Sequence, residues 1–304
     1  MSWLIVVLAG HFLNAVAFVI DKILLTKSFQ NPFVYAFFIG VLGGLAVVLL
    51  PFGVQLTTGT ELLVDIAGGV LFIVSLLFFF TALKGSEASR IVPFIGGGIP
   101  VFTLIFELLF IDSSFSAKEL LAFAILVVGT VLIAIEIGPK KDESKKTLGA
   151  RAWVYGLLAA VSFATSFGLT KIAYDAQPFV SAFFWQRAAS FVFVLLFLLL
   201  PVYRKAIKHD FPMLKTRVGA TFMLSQSFGG GGFVLINYAI SLASVSIVNA
   251  LQGVQYAFLL IMAVLGTLKW PNLLKESMNR TTLVLKSIAV VVIGVGLYLI
   301  AAIG

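Results

Sequence analysis

Apolar residues in this chain come in long unbroken runs parted by short polar stretches. They show neither the alternation of a half-buried strand nor the three-and-four spacing of a soluble helix. Ten runs stand out, at 3–22, 33–53, 62–83, 91–111, 119–137, 152–173, 179–203, 217–240, 245–268 and 283–303. Roughly 20 helical residues cross a hydrocarbon core about 30 Å thick. Every backbone amide in lipid needs an internal partner, which leaves only helices and closed barrels. Stretches such as Val194–Leu200 and Ala289–Val295 lack the alternation of a barrel strand. The pattern predicts an all-α integral membrane protein with ten transmembrane helices.

Composition sharpens this. Of 304 residues, 61% are hydrophobic and 11% charged, less than half the roughly 25% of ordinary domains. With no Cys, disulfides and thiolate chemistry are excluded. The first twenty residues hold no Lys or Arg, so the start reads as a first helix and not as a cleavable signal peptide. Of the 21 basic residues, 18 fall in or beside the connections after runs 1, 3, 5, 7 and 9. The opposite connections hold Lys118 alone, and Lys171 and Arg187 lie inside runs. By the positive-inside rule the basic connections are cytoplasmic, and both termini lie on the other side of a plasma or inner membrane. The net charge of +8 thus reflects topology, not a nucleic-acid partner.

Residues 140–150 form the one long polar linker, dividing 1–139 from 151–304. The two halves echo each other. Pro32-Phe33-Val34 opens run 2 and Pro178-Phe179-Val180 opens run 7. Asp21-Lys22-Ile23 ends run 1 and Thr170-Lys171-Ile172 ends run 6. Pro51 and Pro201 close runs 2 and 7, and Ala82 with Ala88-Ser89 matches Ala239 with Val245-Ser246. Two copies of a five-helix unit enter a membrane in opposite directions. The expectation is two inverted five-helix repeats, the plan of secondary transporters that alternate access to a central site. Duplication for stability alone is the other explanation.

At this point the chain resembles the EamA branch of the drug/metabolite transporter superfamily. The resemblance rests on the 5+5 plan, on Ala82-Leu83 and Ala88-Ser89, on Pro100-Val101-Phe102-Thr103, and on Gly129 and Gly294-Val295-Gly296 in the closing helices. It implies a transporter of a small organic metabolite with helices 5 and 10 at the periphery. The chain departs from the family's usual Leu-Gly-Glu after helix 4, where it reads Ile111-Asp112-Ser113.

No enzyme constellation emerges, and no motif calls for a cofactor or a metal. The chain has two His, no His-Glu-x-x-His pair, no nucleophile elbow and no phosphate loop. His11 on its apolar face reads as a core residue, and His209 as a solvated one. The chemistry-bearing residues are charges in hydrocarbon, where each costs about 2.5–3.5 kcal/mol on insertion scales. Arg187 either holds an anionic group of a solute, for which its planar fork is suited, or pairs with Glu107. Glu107 is also a candidate for coupling to a proton gradient. Asn249, Gln252 and Tyr256 fall on one helix face, and Trp185, Gln186 and Asn237 add to a candidate solute-binding set. Lys22 and Lys171, at equivalent positions of the two halves, are candidate gate charges or interfacial lysines. Gly96–Gly98 with Pro100, and Gly229–Gly232, predict broken or weakened helices. The expected partners are a small-molecule solute and the lipid bilayer, and a homodimer is compatible with the chain. The rival reading is a lipid-handling protein or enzyme acting on phosphate-bearing headgroups, which paired catalytic carboxylates would favour. Glu107 is the one deep acid this reading finds. A channel is disfavoured because the first half is too apolar to line a pore.

Overall fold

The computed structural model describes residues 2–27, 31–84, 88–134, 150–269 and 280–303. About 92% of them are helical and none is in a strand. The helices are α1 (Ser2–Lys27), α2 (Pro32–Leu42), α3 (Gly59–Lys84), α4 (Ala88–Phe110), α5 (Ala117–Ala134), α6 (Ala150–Ala176) and α7 (Phe179–Leu196). They continue with α8 (Pro201–Asp210), α9 (Arg217–Leu242), α10 (Val245–Ala250), α11 (Gln252–Lys269) and α12 (Arg280–Ile303). Seven helical stretches are long and apolar enough to cross a membrane: Ser2–Asp21, Phe33–Phe52, Gly59–Lys84, Ala150–Ala176, Phe179–Leu199, Val245–Met262 and Val284–Ile303. Phe94–Phe110 in α4 is a shorter apolar helix. This is a multi-pass, helical, membrane-type architecture.

Local chemistry sets several of the boundaries. Asn31 caps α2 by accepting from Phe33 N at 3.1 Å, with Pro32 in the first turn, where its missing N–H costs nothing. Ser116 and Glu119 form a reciprocal capping box at α5, with Ser116 N to Glu119 Oε2 at 2.7 Å and Glu119 N to Ser116 Oγ at 3.2 Å. After α2 the chain tightens into a 3-10 helix over Gly43–Phe52 that contains Pro51. It then turns at Gly53 and Gly59, both at positive φ.

The structure differs from the sequence reading at four places. The seventh run does not continue to 203. α7 passes into a 3-10 turn at Phe197–Leu199, and Pro201 starts the separate helix α8, because proline lacks the N–H that would continue the preceding turn. α8 is amphipathic: Ile207 is buried, while Arg204, Lys205 and Lys208 are exposed. The ninth run is split at Leu251 into α10 and α11. By contrast, α4 runs unbroken through Gly96–Pro100 and α9 through Gly229–Gly232.

The packing pairs α1 with α9, α3 with α6, α5 with α12, and α2 with α7. Close approach relies on small residues. Gly129 of α5 faces Ile293 of α12, and Gly296 faces Leu126. At Gly69 of α3 an added Cβ would run into the Gln186 carbonyl of α7, and at Gly43 it would lie 3.0 Å from the Arg187 carbonyl. Helix α7 is therefore seated on glycines at the level of Gln186 and Arg187.

Candidate functional site

Arg187 projects from the middle of α7 into the junction of α3, α7 and α9. Its guanidinium carbon lies 4.5 Å from the Phe72 ring centre, 4.7 Å from Phe233 and 5.8 Å from Phe183. A guanidinium over ring faces gains about 0.5–2 kcal/mol per contact, more when water is excluded. Among the described residues no carboxylate pairs with Arg187, and its buried Nε makes no hydrogen bond. The ion pair with Glu107 is thus absent.

A polar clasp lies beside this cage. Asp65 of α3 is fully buried. It accepts from Gln177 Nε2 at 2.7 Å and from Gln186 Nε2 at 3.3 Å. Gln186 Oε1 accepts from Thr170 Oγ1 at 2.8 Å, and Gln177 Oε1 from Thr57 Oγ1 at 2.7 Å. Trp185 Nε1 donates to the Gln55 carbonyl at 3.0 Å, which ties the α2–α3 connection to α7. Tyr174 of α6 lies within electrostatic reach of both Arg187 and Asp65, and its hydroxyl donates to Asn237 Oδ1 at 2.9 Å. Asn237 Nδ2 returns to the Phe233 carbonyl at 2.9 Å. Gln186 and Asn237 therefore flank the Arg187 cage, while Trp185 lies nearer the helix end.

Asp65 corrects the sequence reading, which found Glu107 as the one deep acid. Glu107 is also buried, at 1% exposure, but in another place. Its Oε2 accepts from Ser246 N at 2.9 Å and from Ser244 Oγ at 3.0 Å, and its Oε1 accepts from Ser113 Oγ at 3.5 Å. The two acids contact different elements and do not form a catalytic pair. A cavity of about 330 Å³ opens beside Glu107, lined also by Asp112, Ser114, Glu119, Lys171 and Asp175. Lys171 pairs with Asp175 of its own helix at 2.8 Å. The side chain of Lys22 lies outside the described residues.

Among the described residues no hydrogen bond links the amide stripe of α10 and α11 to Arg187. Asn249 Nδ2 donates to Thr103 Oγ1 of α4 at 3.2 Å. Tyr256 packs its hydroxyl on Gly96 of α4 and accepts from Gln252 Nε2 at 3.4 Å. These residues do share a face, and that face meets α4.

No family model and no curated protein matches the chain. Solved structures do: 28 chains match. One of them, described only as a crystal structure of a protein, covers 99% of this chain and 97% of its own at 13% identity, with a TM-score of 0.68. At that identity the likeness is one of fold alone.

Proposed function

We propose that the chain is a secondary transporter of a small organic solute bearing an anionic group, with ten membrane-crossing helices in two inverted five-helix repeats. The observation that carries this is Arg187. A cation held mid-helix among aromatic rings, without a counter-ion among the described residues, is matched when a carboxylate or phosphate oxygen arrives. The rings of Phe72, Phe183 and Phe233 give the rest of such a solute an apolar wall. The cage draws on α3 from one half and α7 and α9 from the other, as a site at a repeat interface would.

The packing supports the repeat. The sequence registers place equivalent residues 149 apart in the first helices of the halves and 157 apart in the third. They carry Ala17 onto Ser166 and Gly68 onto Ser225. Both pairs are hydrogen-bonded, Ser225 Oγ to the Ala17 carbonyl at 3.0 Å and Ser166 Oγ to the Gly68 carbonyl at 2.8 Å. The pairings α1 with α9 and α3 with α6 are likewise exchanged by the same operation, and α5 with α12 maps onto itself. The EamA resemblance fits this plan. Glu107, bound to the start of α10, serves in this reading to hold the α4–α5 connection against α10 and is not needed as an anion for Arg187.

The test is uptake into proteoliposomes over a panel of carboxylates, phosphate esters, neutral polar solutes and organic cations. Anionic solutes should be taken up by the parent protein and lost in Arg187→Met. Uptake of only neutral or cationic solutes, or uptake indifferent to Arg187→Met, would remove the reading.

A further inference from the structure

The basic face of α8 carries chemistry that the Arg187 cage does not use. Helix α8 starts at Pro201, just past the end of the membrane-length stretch Phe179–Leu199. Its 10 residues rise about 15 Å, half of what a crossing needs. The Tyr203 ring stacks on Phe33 with 3.9 Å between ring centres and 16° between planes, and Phe197 lies 5.8 Å away. Phe33 opens another membrane-length stretch, Phe33–Phe52. Two span ends therefore meet at Tyr203. Their meeting holds α8 at the hydrocarbon boundary, where tyrosine is enriched and headgroups fill about 5–8 Å on each side.

The helix sorts its side chains at this level. Tyr203, Ile207 and Asp210 follow at spacings of four and three and share the inward arc, with Ile207 and Asp210 buried. Arg204, Lys205 and Lys208 take the outward arc and are exposed, as are Lys215 and Arg217 beyond it. Asp210 is the only acid between 200 and 217, and it lies 2.8 Å from His209 Nδ1. Among the described residues none of the five cations has a carboxylate partner. Leu199 and Val202, next to them in the chain, are 74% and 75% exposed. Apolar side chains standing out at the edge of a basic face suit acyl chains on one side and phosphates on the other.

We propose that the outward face of α8, with Lys215 and Arg217, docks the phosphate headgroups of acidic phospholipids and so braces the adjoining ends of α2 and α7 against the bilayer surface. The positive-inside rule asks only for charge somewhere in a connection. Here the charge is confined to one arc of a helix whose other arc is bolted to the protein at headgroup depth. A guanidinium grips a phosphate with two prongs and an ammonium meets it as a point charge. Clusters of four to eight Lys and Arg beside a membrane helix are what an anionic leaflet attracts. The surface depends on where α7 ends and on the Tyr203 stack, not on the transport reading.

Native mass spectrometry of the solubilised full chain, offered equal amounts of phosphatidylglycerol and phosphatidylcholine, counts the lipids that stay bound. Phosphatidylglycerol should be retained in preference. Each basic residue near an acidic surface strengthens binding about fivefold, so Arg204→Gln, Lys205→Gln and Lys208→Gln together should weaken retention at least about tenfold. Lys205→Gln alone changes one exposed side chain and should weaken it about fivefold, which keeps the test open if the triple variant fails to fold. A control with Lys140→Gln, Lys141→Gln and Lys145→Gln in the linker should keep the preference. Equal retention of the two lipids, a preference unchanged in the α8 variants, or an equal loss in the linker control would each overturn the surface. Displacement of the lipid by inorganic phosphate, beyond that by chloride at equal ionic strength, would assign the face to a soluble anion and overturn it too. No readout uses a transported solute, so a negative uptake panel and a failed lipid surface are separate results.

Discussion

Among the described residues the Arg187 guanidinium meets three phenyl rings and no carboxylate. Cation–π attraction of about 0.5–2 kcal/mol per ring is comparable with the about 2.5–3.5 kcal/mol that a charge costs at mid-membrane. On these terms the residue is close to neutral for stability. Arg187→Met should leave the melting temperature in detergent unchanged or raised while uptake of anionic solutes falls at least about tenfold. A large drop in melting temperature would make Arg187 a structural residue. Arg187→Lys should fail to restore uptake, because an ammonium offers a point charge in place of a two-pronged fork. Asp65 has the opposite balance. Asp65→Leu strands the amides of Gln177 and Gln186, at about 1–3 kcal/mol each, and thermal unfolding would report it. Arg187 was legible because a charge interrupts an apolar run. Asp65 was not, because it lies one turn past Glu61, where an acid at a helix start is ordinary.

At the scale of the element, α7 is held closely, because Gly69 and Gly43 let α3 and the 3-10 stretch after α2 touch its backbone. Gly69→Val would push α3 off Gln186 and cost about 1–3 kcal/mol by overpacking. It would also loosen Arg187, so uptake and melting temperature should fall together, unlike in Arg187→Met. The two serine bonds test the twofold plan. Ser166→Ala and Ser225→Ala should each cost about 0.6 kcal/mol, a typical interhelical bond in a membrane, and should add in the double variant. The glycine runs of α4 and α9 show where composition misled. Lipid leaves an unpaired backbone group nowhere to go, so both helices stay whole and use the glycines for close packing, as Gly232 does against Gly10 and Asn14. The break came instead at Leu251, which no residue type announces.

For the whole molecule, the proposed topology puts the basic residues of α8 and the connections on the cytoplasmic side. Epitope tags at either terminus should be protected from protease in inside-out vesicles, and a cleavage site placed at Lys205 should be cut there. The reverse result would invert the topology without changing the fold. What the sequence determined by itself is the solvent and the class: unbroken apolar runs can be buried only in lipid, and lipid admits only helices for runs of this kind. Its echoing motifs are also what the proposed division into two halves starts from. The tertiary structure alone decided partnership. Whether Arg187 meets Glu107 or three rings, and whether His11 is satisfied or paired with Gln255 across 244 positions, depends on which faces the helices turn to each other. Hydrophobicity in a membrane helix is nearly uniform around the axis, so the pattern that orients a soluble helix is missing, and packing of small residues sets the rotation instead.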